Sequence, residues 1–196
     1  MTMVIGITGG IATGKSTVSH YLKELGYPIV NADVVARQVV DPGTKGLQLI
    51  TEAFGSQVLT SDHQLNRAYL AKLVFNSSEQ RAKLNQILQP LIRSQIKAAV
   101  ANYSGDVIFI DVPLLFEQHY QELCDAVMVV SVRPELQLAR LMKRNRFTKE
   151  AAQARIASQM PMSEKERLAD VVIDNNGSVA ATQHQVTAWL DQVVRP

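Results

Sequence analysis

Residues 9–16, near the start of the chain, read GGIATGKS and fit the spacing G-x-x-x-x-G-K-[ST] in full. Glycines allow backbone N–H groups to converge on phosphate oxygens without a Cβ in the way, and the start of a helix adds further N–H donors. Lys15 is expected to reach the β- and γ-phosphates, and Ser16 to hold Mg²⁺. The segment follows an apolar run at residues 4–7 and opens a helical stretch, which is the context this motif requires. The pattern therefore predicts a nucleoside triphosphate site.

The contacts expected from this loop and the start of its helix are Gly10, Ile11, Ala12, Thr13, Gly14, Lys15, Ser16 and Thr17. Thr17 has two interpretations, because it could touch the α-phosphate or simply belong to the first helical turn. For the whole segment, the alternative is a glycine turn that matches the motif by chance.

Two aspartates end apolar runs that are predicted to be strands. Asp33 ends the run at residues 28–33, which would place it at the carboxyl edge of the sheet, where α/β proteins bind ligands. There it could accept the proton of an attacking hydroxyl, or it could merely cap the helix that follows. Asp111 ends VIFID, the Walker B pattern, and is expected to touch Mg²⁺ or its water. A strand-end cap or a structural partner of Ser16 is the alternative for Asp111.

A basic cluster follows the fourth predicted strand. Arg140, Lys143 and Arg144 are spaced i, i+3 and i+4, so they share one face of a helix that Pro134 begins. Such a cluster is often only a solvated face, but a lid could also lower these cations onto a transferring phosphate. Arg140 is the first candidate for that role, and Arg155 is a further one.

Five short apolar runs are predicted to be strands, at residues 4–7, 28–33, 107–112, 125–132 and 171–174. Helical stretches, including residues 15–25 and 179–194, separate them. Strands that alternate with helices predict an α/β fold, here a P-loop NTPase fold with a five-stranded parallel sheet and helices on both faces.

Two helical excursions interrupt this alternation. The first has no convincing core strand, and Pro90 should kink or break its longest helix. We therefore expect a nucleotide-binding core at residues 1–33, 105–133 and 169–196. Residues 34–104 would form a substrate-binding insertion, and residues 134–168 would form a lid.

Composition excludes several classes of protein. The 196 residues carry 20 Lys plus Arg and 18 Asp plus Glu, without a long run of like charge, so nucleic acid is not an expected partner. Cys124 is the only cysteine, which excludes an internal disulfide, and is expected to be buried. The four histidines have no metal-ligand spacing. Because the sequence has neither a signal-like start nor an apolar stretch long enough to span a membrane, we expect a cytoplasmic protein that does not bind a membrane. We also expect a monomer.

The sequence lacks the N-K-x-D pattern by which GTPases recognise guanine. The insertion and the basic excursion instead favour phosphoryl transfer to a small molecule. Another small-molecule P-loop kinase, such as a nucleoside kinase, and a nucleotide-dependent switch protein remain the alternatives.

The chain resembles dephospho-CoA kinases over essentially its full length. The resemblance rests on GITGGIATGKST, on NADVVAR with DPG after it, on LNR, on DVPLLFE at residues 111–117 and on VIDNNG at residues 172–177. It implies an adenylate-kinase-like fold and transfer of the ATP γ-phosphate to the ribose 3′-hydroxyl of dephospho-CoA.

The same resemblance implies roles for individual residues. Asp33, Lys15 and Arg140 would be catalytic, with Asp33 as the base. Asn175 and Gly177 would lie near adenine, and Ser16 and Asp111 would hold Mg²⁺. The residues expected to contact dephospho-CoA are Asp33, Arg37, Arg67 and Leu114. Two positions depart from the family pattern, because Asn31 replaces an aspartate and Gln89 replaces a histidine.

Overall fold

The computed structural model describes residues 2–75 and 77–194. The chain divides into two compact units, Met1–Val30 with Tyr103–Pro196 and Asn31–Asn102. The strands are β1 (Met3–Gly9), β2 (Ile29–Asn31), β3 (Val107–Asp111), β4 (Ala126–Ser131) and β5 (Val171–Asp174). The helices are α1 (Lys15–Glu24), α2 (Ala32–Gln38), α3 (Lys45–Phe54), α4 (Arg67–Phe75), α5 (Ser78–Ala101), α6 (Pro134–Asn145), α7 (Lys149–Ala157), α8 (Met162–Arg167) and α9 (Val179–Val193).

The five strands form one sheet in the order β2-β3-β1-β4-β5, and the pairs β1–β3, β1–β4 and β4–β5 are parallel. The predicted α/β fold with a five-stranded sheet is confirmed. In the register of the central strands, Ile7 lies opposite Asp111. Because parallel strands end at the same edge, the glycine loop after β1 and the carboxylate at the end of β3 are brought together.

One face of the sheet packs against α1 and α9. Alternate residues of the central strands, such as Ile5 and Phe109, share a buried cluster with Leu22 of α1 and Val186 of α9. The other face lies under the segment that follows β3, since a Cβ at Gly6 would meet Leu115 and the Cys124 sulfur. Both faces are therefore covered, which is why these strands read as continuous apolar runs.

The second unit is helical. Its longest helix, α5, packs against α2, α3 and α4 and buries Ile92 and Ile96. Its only strand-like pairing among the described residues is an isolated bridge between Leu59 and Leu65.

Three expectations about local structure need correction. β2 ends at Asn31, and Asn31 rather than Asp33 caps α2, because its side chain accepts the Val34 N–H at 3.1 Å. The break expected at Pro90 does not occur, because α5 continues through that residue, whereas a kink there stays a prediction. Cys124 is half-buried, not buried.

Candidate active site

The phosphate loop joins β1 to α1 through two residues in the left-handed region, Ala12 (φ 62°) and Gly14 (φ 94°). The Thr13 hydroxyl and amide both donate to the Gly10 carbonyl, at 2.9 and 3.2 Å, which closes the loop on itself. Gly14 precedes α1, and no side chain within the described part of the chain caps that helix. The Thr17 N–H bonds to the Gly14 carbonyl at 2.9 Å, and the N–H groups of Lys15 and Ser16 at the helix start can serve an anion.

Lys15 opens α1 and forms an ion pair with Asp111 at the end of β3. The Lys15 side chain is 18% exposed and the Asp111 side chain 4%. Ser19, one turn further along α1, donates its hydroxyl to the other Asp111 oxygen at 2.8 Å. Asp111 therefore contacts both Lys15 and Ser19 of α1, and Ser16 is exposed in the first turn of the same helix. The site combines a cation and a carboxylate beside the uncapped helix start.

Arg140 is the half-buried member of the basic cluster on α6, and its Nη2 donates to the Asn175 carbonyl at 3.1 Å. Lys143 and Arg144 are exposed, and Arg144 bonds its neighbour Asn145 at 2.8 Å. Arg155 on α7 is also exposed. Of the four candidate lid cations, Arg140 is the one whose side chain forms a hydrogen bond with the segment around Asn175.

Two glutamines that the sequence analysis did not single out hold the backbone of Ile11. Gln137 of α6 donates to the Ile11 carbonyl at 2.9 Å, and the Gln159 side chain accepts the Ile11 N–H at 2.8 Å. The neighbouring Gly10 N–H points at the Met162 sulfur, 3.2 Å away. The excursion expected to form a lid, residues 134–168, therefore contacts the phosphate loop at Gly10 and Ile11.

A cavity of about 780 Å³ borders Gly10, Arg133, Gln137, Met162 and Asn176. Its volume falls in the range typical of small-molecule sites, about 300–1,000 Å³.

A buried ion pair lies behind the loop that follows β3. The Lys165 side chain of α8 is fully buried, and its Nζ contacts a Glu117 oxygen at 2.8 Å and the Pro113 carbonyl at 3.5 Å. Pro113 also accepts from the Thr8 hydroxyl at 3.1 Å, and Leu114, an expected acceptor contact, is the next residue. The sequence carries no signal for this pair, because the two residues lie in unrelated segments.

The remaining expected residues have these positions. Asp33 is exposed in the first turn of α2, and Arg37 follows on the same helix. Within this helical unit, Arg67 donates to the Arg37 carbonyl at 3.5 Å, so the Arg67 side chain lies against the backbone of α2 at Arg37. Gly177 is exposed in the turn before α9.

The described residues contain neither a cluster of metal-ligating side chains nor a helix able to span a membrane. Residues 2–75 and 77–194 contain no cluster of three or more His, Cys, Asp or Glu side chains that could hold a metal by themselves. Over the same residues, every helix is too short or too polar to cross a membrane.

Comparisons with known proteins agree with this geometry. The family model for Dephospho-CoA kinase (CoaE) matches residues 3–181. A dephospho-CoA kinase of Listeria monocytogenes is 46% identical over 198 residues, covering 100% of this chain and 99% of the relative. The Lactobacillus johnsonii enzyme is 41% identical over 198 residues, covering 100% of both chains.

Solved structures give the same assignment. A dephospho-CoA kinase from Campylobacter jejuni superposes with a TM-score of 0.77 at 30% identity, covering 100% of this chain and 98% of that one. A shikimate kinase from Bacteroides thetaiotaomicron has a TM-score of 0.52 at 15% identity, covering 96% of this chain and 98% of that one, and shares the fold alone. On the family match and the full-length identity, the chain belongs to the dephospho-CoA kinase family.

Proposed function

We propose that this protein transfers the γ-phosphate of ATP to the ribose 3′-hydroxyl of dephospho-CoA, which gives coenzyme A. Membership of a kinase family implies the use of a nucleoside triphosphate. The observation that carries the proposal is the Lys15–Asp111 pair beside the uncapped start of α1. This arrangement supplies N–H donors and a cation where the triphosphate would lie, and a carboxylate beside them.

The step is an in-line displacement. The hydroxyl oxygen of the acceptor forms a bond to the γ-phosphorus, and the bond from that phosphorus to the β–γ bridging oxygen breaks, which releases ADP. Asp33 takes the hydroxyl proton, while Lys15 and Arg140 offset the charge that develops on the phosphoryl oxygens. Within the loop, the phosphates would be held by the backbone N–H groups of Ala12, Gly14, Lys15 and Ser16, because those of Gly10, Ile11, Thr13 and Thr17 already bond to protein acceptors.

Mg²⁺ fits the donors present at this site. The Ser16 hydroxyl and the Asp111 carboxylate are hard oxygen donors, and Mg²⁺ typically takes one or two protein oxygens with phosphate oxygens and water. When bound, the ion neutralises charge on the triphosphate. Ser16 follows Lys15 in the first turn of α1, and Asp111, at the end of β3, contacts Lys15.

We further propose that residues 34–104 supply the acceptor site and residues 134–168 the lid. The cations Arg37 and Arg67 suit the phosphate-bearing acceptor, with Leu114 as an apolar contact and Asn175 and Gly177 on the adenine side. A monomeric state, a cytoplasmic location and the lack of a nucleic-acid partner remain predictions.

One assay tests the proposed acceptor. ADP release is measured with dephospho-CoA, with a panel of nucleosides and sugars, and without an acceptor. Release that depends on dephospho-CoA supports the proposal. Turnover that is independent of any acceptor, or that prefers a nucleoside, would overturn it in favour of a switch protein or another kinase.

The substitution Asp33→Asn tests the proposed base. Loss of a general base typically lowers the rate by about 10²–10⁴-fold. Because Asn31 is the residue that caps α2, the substitution should leave that cap intact. We expect kcat with dephospho-CoA to fall by at least about thirtyfold, with nucleotide affinity little changed. A kcat within about threefold of the parent would exclude Asp33 as the base.

A further inference from the structure

Asn175 lies directly after β5 and is only 5% exposed. Its Nδ2 donates to the Thr13 carbonyl at 2.7 Å, and its Oδ1 accepts the Thr182 hydroxyl at 2.8 Å. The side chain thereby joins α9 to the phosphate loop, across 162 residues of sequence. Both ends of the amide are bonded to protein groups.

The chemistry of these partners fixes the orientation of the amide. A backbone carbonyl only accepts hydrogen bonds, so the group that faces Thr13 must be the NH₂ of Asn175. The opposite end is then the oxygen, which faces the Thr182 hydroxyl. A carboxylate in this place would put an oxygen against the Thr13 carbonyl.

Gly14 shows how closely the loop fits this side chain. A Cβ at Gly14 would lie 1.9 Å from the Asn175 Nδ2, and Gly14 also has a φ of +94°. The glycine is thus required by contact as well as by backbone conformation.

The backbone of Asn175 serves a second element of the site. Its carbonyl accepts from Arg140, and its N–H donates to the Ser131 carbonyl at 2.8 Å, which anchors it to β4. One buried residue therefore contacts the phosphate loop through its side chain and the lid arginine through its carbonyl.

We propose that Asn175 is a positioning residue that holds the Thr13–Gly14 part of the phosphate loop in its nucleotide-binding conformation and sets the place of Arg140. This goes beyond a contact with the base, and it rests on the proposed function only in taking this loop as the nucleotide site. Within the loop, Thr13 bonds back to the Gly10 carbonyl. The Thr13 carbonyl, on the Gly14 side of the loop, is held by Asn175.

The test measures binding of a fluorescent ADP analogue to the full chain, together with thermal unfolding. The variant Asn175→Asp keeps the size of the side chain and the bond from Thr182, but replaces the donor with an oxygen. Loss of a buried hydrogen bond with an unpaired partner left behind predicts affinity weaker by at least about tenfold. ADP binding needs no acceptor, so failure of the dephospho-CoA assay leaves this test intact.

Gln185→Ala is the matched control. Gln185 lies one turn beyond Thr182 on α9 and bonds the N–H and carbonyl of Asp174, at 2.9 and 2.8 Å, rather than the phosphate loop. The Gln185→Ala substitution loosens the same β5–α9 packing. It should therefore lower the unfolding temperature, while ADP affinity stays within about twofold of the parent.

Variants of Thr182 separate positioning from general stability. Thr182→Ser keeps the hydroxyl and should retain ADP affinity, whereas Thr182→Val removes it and should weaken binding in the direction of Asn175→Asp. The inference is overturned if Asn175→Asp binds ADP within threefold of the parent, or if Gln185→Ala weakens binding equally.

Discussion

Replacing Lys165 by methionine removes the cation of a buried pair while keeping a long, flexible side chain. The Lys165 side chain is 0% exposed and that of Glu117 is 21% exposed. Among the described residues, Glu117 in the variant keeps the Met160 N–H as its one donor, at 3.0 Å. A carboxylate that was neutralised in the parent is left without its cation.

The size of the effect follows from this burial. Breaking a buried ion pair by removing one partner costs about 3–5 kcal/mol. Because one-fifth of Glu117 still reaches water, we expect the lower end, about 3 kcal/mol. For a chain of this length, each kcal/mol lowers the unfolding temperature by roughly 2–4 °C, so the expected decrease is roughly 6–12 °C.

Thermal and urea unfolding of the parent and three variants measure it. Lys149→Met removes an exposed lysine of α7 and should change the free energy of unfolding by less than about 0.5 kcal/mol. The double variant Lys165→Met/Glu117→Gln should recover at least half of the loss, because glutamine can still accept the Met160 N–H without a stranded charge. If Lys165→Met unfolds within about 1 kcal/mol of the parent, the pair does not stabilise this region as argued.

Three further predictions concern single residues. Arg140→Ala should lower kcat by about 10²–10³-fold and change the KM for ATP less, as measured by steady-state kinetics. An unchanged kcat would mean that Arg140 is only part of a solvated helix face. Arg67→Ala should raise the KM for dephospho-CoA more than that for ATP, and equal changes would argue against residues 34–104 as the acceptor module. Burial, and then the charges of Asp125 and Asp170, raise the pKa of Cys124 from 9.0 to about 12. Native Cys124 should therefore react with iodoacetamide at pH 8 at least about a hundredfold more slowly than the urea-unfolded chain, by mass spectrometry. Because its unfolded thiol ionises first, the protein should lose stability as the pH rises above 9 towards 12.

The sheet could be predicted from the sequence because its signals are local. A strand covered on both faces reads as a continuous apolar run, and all five runs lie within two residues of the observed bounds. The error at Asp33 has an equally local cause. Asn31 and Asp33 both suit a helix cap and lie two residues apart, so composition could not choose between them.

The continuous α5 helix shows a different limit. Pro90 costs a helix about 3 kcal/mol, and a local rule therefore predicts a kink or a break. The packing of α5 against α2, α3 and α4 is spread over 24 residues and offsets that cost. No window of sequence around Pro90 contains this information, because the stabilising contacts come from other helices.

The supports of the phosphate loop were beyond prediction for the same reason. The loop motif is local, but Gln137, Gln159 and Asn175 reach Ile11 and Thr13 from 126, 148 and 162 residues away. Each of these side chains is an ordinary amide in a helix, a turn or a strand end, with no motif of its own that points to the loop.

The distant side chains that contact the phosphate loop affect how the site works. A glycine-rich loop has many accessible backbone conformations, so the motif alone leaves it poorly ordered. Here Asn175 holds the loop at Thr13, and the two glutamines bond the backbone N–H and carbonyl of Ile11. Those glutamines belong to the excursion that carries Arg140, so any movement of that excursion must change the hydrogen bonds of the loop. If residues 134–168 form the proposed lid, phosphate binding and lid position would be linked through backbone groups of the loop itself.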